Sequence, residues 1–242
     1  MQPALKNDVT EDHKAERIAK EYEDFAYIVS HDLNAPLRHI KEFTRLLVAG
    51  RKDNLTVEEQ EYVEFLERSL SKLDDMQRAL LTFSRLNTRP DPPCDVDCNK
   101  VVDDVLKELA DIVSVHAPEI EYGKLPVVHV DPKQLHLLFF HLIDNALKFH
   151  EDETLKRRIH ISATDQEDMW LFEVRDNGIG IAEQYHDEIF RLFRRLNPDQ
   201  YSGIGAGLTI AQKIVHRFGG EMLIESEPEQ GTSVFFSIEK AL

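Results

Sequence analysis

The period of the apolar residues changes once along the chain, and that change limits what the chain can become. As far as Phe83, apolar residues recur at steps of three and four, the period of one buried stripe on a helix. Arg85 to Cys98, which contains Pro90, Pro92 and Pro93, cannot continue a helix. Beyond it, helical patterns alternate with short runs of period two. The expected fold is therefore α+β in two domains, a helical hairpin followed by an α/β sandwich with helices on one face of a sheet. The expected divisions are an N-terminal extension over 1–17, the hairpin over 18–86, a linker over 87–95 and the second domain over 96–242.

In the first helix Phe25, Val29, Leu33, Pro36, Ile40, Phe43 and Leu47 form the stripe. His31 lies two positions from Val29, about 200° around the helix, and so projects from the opposite face. Pro36 deprives the Asp32 carbonyl of its partner and bends the helix beside His31. An imidazole there is an ordinary surface residue or a group available for chemistry. Gly50 stops the helix. Thr56 and Glu59 then read as a capping box for a second helix with Tyr62, Leu66, Leu73, Leu80 and Phe83 on its stripe. Two such helices cannot enclose a core alone, so an obligate homodimer, two hairpins forming a four-helix bundle, is expected.

Past the linker, Val101 to Ile112 reads as one helix and residues 127 to 130 as a strand. Asp131 and Pro132 open a helix in which His141, Asn145 and Lys148 form a polar line beside the buried face, as though a ligand lay over it. Asp176 continues the inward phase of Trp170, Phe172 and Val174, and an inward carboxylate needs a partner. Gly178 and Gly180 follow it. A second cluster, Gly203, Gly205 and Gly207, opens another helix, a start suited to phosphate. Neither cluster fits the common nucleotide-binding fingerprints.

The composition narrows the partners. A net charge of −16 argues against nucleic acid. No apolar run reaches the roughly eighteen residues of a membrane span, so no direct membrane insertion and a cytoplasmic location are expected. Cys94 and Cys98 have no further ligands nearby for zinc and read as small buried side chains.

Taken in order, SHDLNAPL, HLIDNALKF, DNGIG, IFRLFRRL and GIGAGL resemble the H, N, G1, F and G2 boxes of the sensor histidine kinases of two-component signalling, over nearly all of residues 20 to 242. The wording from Phe193 to Gly220 is similar to kinase modules attached to phytochrome and PAS-type sensors. The resemblance implies a histidine-kinase/gyrase-type ATP-binding domain that uses ATP and Mg²⁺. It makes His31 the phosphoacceptor and Asp32 the acidic partner that orients its ring. It places Mg²⁺ on Asn145, phosphate by Lys148 and the adenine amino group on Asp176. Gly178, Gly180, Gly203, Gly205 and Gly207 would frame the nucleotide, residues 190 to 206 would form its lid, and Arg195 would meet the transferring phosphate. The implied partners are a response-regulator receiver domain, with Asn34 and Arg38 part of its docking surface, and an upstream sensor absent from this chain.

Two positions depart from the family's pattern. Ala35 stands where Thr or Asn commonly orients water, which implies weak phosphatase activity. His141 stands at the first N-box position, often Asn, and is expected to border the site rather than to ligate Mg²⁺ indirectly. The alternatives are a pseudokinase acting as a dimeric scaffold, and a gyrase-type ATPase, which generally carries Glu where this chain has His141.

Overall fold

The computed structural model describes residues 33, 36–46, 48–49, 55–88, 90–150, 156–197 and 200–240. It divides into two compact units, Met1–Thr88 and Arg89–Leu242.

In the first unit, helix α1 covers 36–46 and α2 covers Val57–Thr88. The box that opens α2 is reciprocal: the Glu59 carboxylate accepts from Thr56 N–H at 2.8 Å, and the Thr56 hydroxyl accepts from Glu59 N–H at 3.2 Å. The Lys41 ammonium donates to Asp74 at 2.7 Å and ties α1 to α2. The stripes, however, are not covered in a single chain. Phe43 is 65% exposed, Ile40 50%, Tyr62 59% and Leu73 46%. The buried line of α2 instead runs through Leu70, Gln77 and Ser84, one heptad step apart. One hairpin has too little surface to cover both sides of its long second helix.

The second unit is layered. Strands β1 (Cys94–Asp97) and β3 (Val127–Val130) pair antiparallel as a small sheet. The main sheet has five strands in the order β2-β4-β5-β7-β6, from β2 (Glu119–Tyr122), β4 (Arg158–Asp165), β5 (Met169–Asp176), β6 (Met222–Glu227) and β7 (Gly231–Glu239). β2 runs parallel to β4, and the other neighbours are antiparallel.

Helices α5 (Pro132–Lys148) and α6 (Gly207–Arg217) pack on each other and on this sheet. The core between them is aromatic: Phe139 of α5 meets Phe172 and Phe236 edge-on at 6.0 and 5.8 Å, while those two rings stack at 4.8 Å. All three side chains are wholly buried. Strand alternation sends His160, Arg175 and Leu223 to the opposite, solvated face.

Three local readings change. The helix expected over Val101 to Ile112 breaks into α3 (Cys98–Glu108) and α4 (Ala110–His116). Leu109, buried at 5% exposure, leaves helical geometry there with φ −88° and ψ 13°. Strands β1 and β2 had no alternation long enough to betray them; they form because β3 and β4 offer unpaired edges. Cys98 is fully buried, and burial pushes its thiol up to about 12, but Cys94 is exposed, because its strand is an edge. Between α2 and β1, residues 90–93 lack regular structure. They are anchored at Asp131, whose carboxylate accepts from Asp91 N–H at 2.8 Å while capping α5 through Lys133 N–H at 2.9 Å. No helix among the described residues is long and apolar enough to cross a membrane.

Burial of Phe172 against two rings predicts that Phe172→Ala destabilises the second unit by about 3–5 kcal/mol. Leu223→Ala, on the solvated face of the same sheet, should stay within about 0.5 kcal/mol. Urea denaturation of the two variants checks both.

Candidate functional site

The site is assembled in the second unit from the end of β5, the polar line of α5 and the start of α6. Asp176 ends β5 in the inward phase, as its spacing from Phe172 and Val174 requires. Its Oδ1 accepts from Gly178 N–H at 2.7 Å and from Thr232 N–H at 3.2 Å. Its Oδ2 accepts nothing from the described residues. Burial pushes this carboxyl up to about 6 against the two amides that favour its charged form. Gly178 is obligatory by contact, since a Cβ there would lie 2.1 Å from the Phe149 carbonyl oxygen.

A hydroxyl pair that the sequence did not disclose holds this corner. Ser226 Oγ accepts from Ile181 N–H at 2.8 Å and donates to the Gly231 carbonyl at 2.9 Å. With its proton so used, it accepts from the Thr232 hydroxyl at 2.9 Å. The turn carrying Gly178 and Gly180 is thereby fastened to the β6–β7 hairpin and to the residue whose amide holds Asp176.

On α5, His141, Asn145 and Lys148 lie along one line, as their spacing requires. The Asn145 side chain makes no hydrogen bond to the described residues. Lys148 does: its ammonium is held by Asp144 Oδ2 at 2.5 Å, a partner one position off the line that sequence reasoning missed. His141 is pulled down to about 4, first by burial and then by the Lys148 charge, so its ring is neutral near pH 7. Its Nε2 is buried and has no partner among the described residues. A polar atom in that condition is costly unless something else supplies the bond.

The start of α6 closes the arrangement. A Cβ at Gly207 would lie 3.2 Å from His141 Nδ1, so the first turn of α6 abuts the polar line of α5. Ala206, at the cap position, offers no side-chain bond to the first amides of α6. Those donors and the helix dipole suit an anion. Upstream, Phe193 N–H donates to the Gly205 carbonyl at 2.8 Å. This closes the base of a loop in which Phe193 takes φ +65° and Gly205 φ +74°. A Cβ at Gly203 would meet no described residue within 4 Å. Arg195 donates to the Tyr201 carbonyl inside this loop.

The structure thus brings Asp176, Gly178, Gly180, Asn145, Lys148 and Gly207 into one unit with His141, and joins Arg195 and Gly205 through the loop before α6. His31, Asp32, Asn34 and Ala35 lie outside the described residues.

The raised carboxyl of Asp176 sets a sign for pH dependence. Protonation stabilises the fold fully below the ordinary value of 3.8, and this contribution is lost as pH rises through about 6. Asp176→Asn has no such loss. Its stability relative to the parent should therefore rise between pH 4 and 8, by about 1–3 kcal/mol, in urea midpoints taken at both ends.

Two family models match the chain. Residues 21–89 match the His Kinase A (phospho-acceptor) domain, and residues 130–242 match the histidine kinase-, DNA gyrase B-, and HSP90-like ATPase. Among curated relatives, the phytochrome-like protein Cph1 of Synechocystis sp. is 36% identical over 224 residues, covering 92% of this chain and 30% of the relative. The signal transduction histidine-protein kinase BarA of Escherichia coli is 28% identical over 242 residues, covering 93% of this chain and 25% of the relative. The chain therefore spans less than a third of the length of these relatives. Among solved structures, full-length ShkA in complex with AMPPNP superposes with a TM-score of 0.67 at 24% identity, over 90% of this chain and 46% of that one, a likeness of fold.

Proposed function

We propose that this chain, which belongs to the sensor histidine kinases by the two domains it carries, moves the γ-phosphoryl group of ATP to His31 and then to an aspartate on a response-regulator receiver domain. The observation that carries the proposal is the meeting of three features in the ATPase-like unit: a start of α6 with no side-chain cap, and His141 Nε2 and Asp176 Oδ2, neither with a partner among the described residues. A nucleotide answers the first and the last. Its phosphates take the α6 amides, and its adenine amino group donates to Asp176, which relieves the cost of a buried carboxylate.

An imidazole is a competent nucleophile near neutral pH, and on this reading Asp32 orients that of His31 and stabilises the positive charge that develops. The γ-phosphorus to bridging-oxygen bond breaks as the nitrogen–phosphorus bond forms, and ADP leaves with the electron pair. Asn145 fits a magnesium ion, since its side chain bonds to no described residue and carries a hard oxygen donor. When bound, the ion would neutralise phosphate charge. Lys148 reaches phosphate while still paired with Asp144, and Arg195 does so by releasing the Tyr201 carbonyl. The exposed stripes of α1 and α2 are covered by a second copy, giving a homodimeric bundle. Arg38, exposed on α1, forms part of the receiver's docking surface.

Incubation with γ-labelled ATP and Mg²⁺ should give acid-labile label on the chain, and His31→Gln should abolish it while leaving ATP binding intact. Asp176→Asn should weaken ATP binding by about ten- to a hundredfold in a titration at pH 7.5. An unlabelled chain that still binds Mg-ATP would instead support a dimeric scaffold.

A further inference from the structure

Tyr201 and Phe149 make a contact that the phosphoryl-transfer chemistry does not require. Their rings meet at 5.1 Å and 61°, edge to face. Phe149 directly follows α5, is 37% exposed and is the kind of residue that water would ordinarily be kept from. Its backbone is not free to move: its carbonyl accepts from Ile179 N–H at 3.1 Å and lies hard against Gly178. Phe149 is thus fixed to the turn that follows Asp176.

Tyr201 belongs to a different body of chain, the loop closed at its base by Phe193 and Gly205. Arg195 holds the Tyr201 carbonyl from within that loop. Removing the Tyr201 ring therefore breaks the aromatic pair, whereas the Arg195 bond, made to the Tyr201 backbone carbonyl, does not depend on that ring. We infer that Tyr201 is a positioning residue: its ring clasps Phe149 at the base-binding end of the site, and the clasp slows release of adenine nucleotides.

The inference rests on the nucleotide reading above and goes beyond it. The clasp lies beside Asp176 and Gly178 rather than at the start of α6, so it acts on ligands that carry a base. A triphosphate chain without a base does not feel it. Edge-to-face pairs of this kind change an equilibrium by about three- to tenfold.

The test is release of N-methylanthraniloyl-ADP from the full chain, followed by stopped-flow displacement with excess ATP. Tyr201→Ala should release the probe about three- to tenfold faster, and Tyr201→Phe, which keeps the ring, should match the parent. In the Phe149→Leu background, Tyr201→Ala should add little, because the partner ring is already gone. Affinity for inorganic tripolyphosphate, read by competition, should be the same in the parent and in Tyr201→Ala. Unchanged release, an equal loss of tripolyphosphate affinity, or a Tyr201→Phe variant that behaves like the alanine would each overturn the clasp. A parent chain that never binds the probe would overturn the nucleotide reading and the clasp together.

Discussion

The second unit is organised by a carboxylate placed where carboxylates are expensive. Asp176 continues the core phase of β5, and the strand's alternation leaves it no other direction. Two backbone amides hold one of its oxygens, yet burial still pushes it up to about 6. The surrounding architecture follows from keeping those amides in place. Gly178 can approach because it lacks a side chain, Thr232 sits at the start of β7, and Ser226 ties the two segments. On the reading proposed above, the oxygen that no described residue engages takes a donor such as an exocyclic amine.

The two helices over the sheet divide the labour. The apolar side of α5 supplies Phe139 to the aromatic core, while its polar line borders the site. α6 brings an uncapped start against His141. Because the two helices pack on each other and on the same sheet, Asn145 and the α6 amides are held by core packing rather than by loops, the arrangement that best preserves a binding geometry. The contacts that hold the loop before α6 include the backbone bond at its base, Arg195 on the Tyr201 carbonyl and the Tyr201–Phe149 pair.

The helical unit shows the opposite condition. Its stripe is correct in period but uncovered in a single chain, and α2 buries a different line, through Leu70, Gln77 and Ser84. Periodicity reports which residues are apolar together. It does not report which neighbour covers them; a second hairpin is the neighbour proposed above.

Local physics made much of this chain legible from its residues. The capping box at Thr56 and Glu59, the Asp131 cap and the inward phase of Asp176 each depend on residues within a few positions, and each is present. The i, i+4, i+7 line of His141, Asn145 and Lys148 is equally local. What sequence alone could not settle depends on contacts between distant segments. The Ser226–Thr232 hydroxyl pair depends on β6–β7 register, and the break at Leu109 on what that side chain packs against. The same holds for His141, whose ring is met by the first turn of α6. Residue type and spacing determined which groups are available; tertiary packing decided which of them are engaged, because burial and hydrogen-bond partners come from segments that the spacing of one element does not encode.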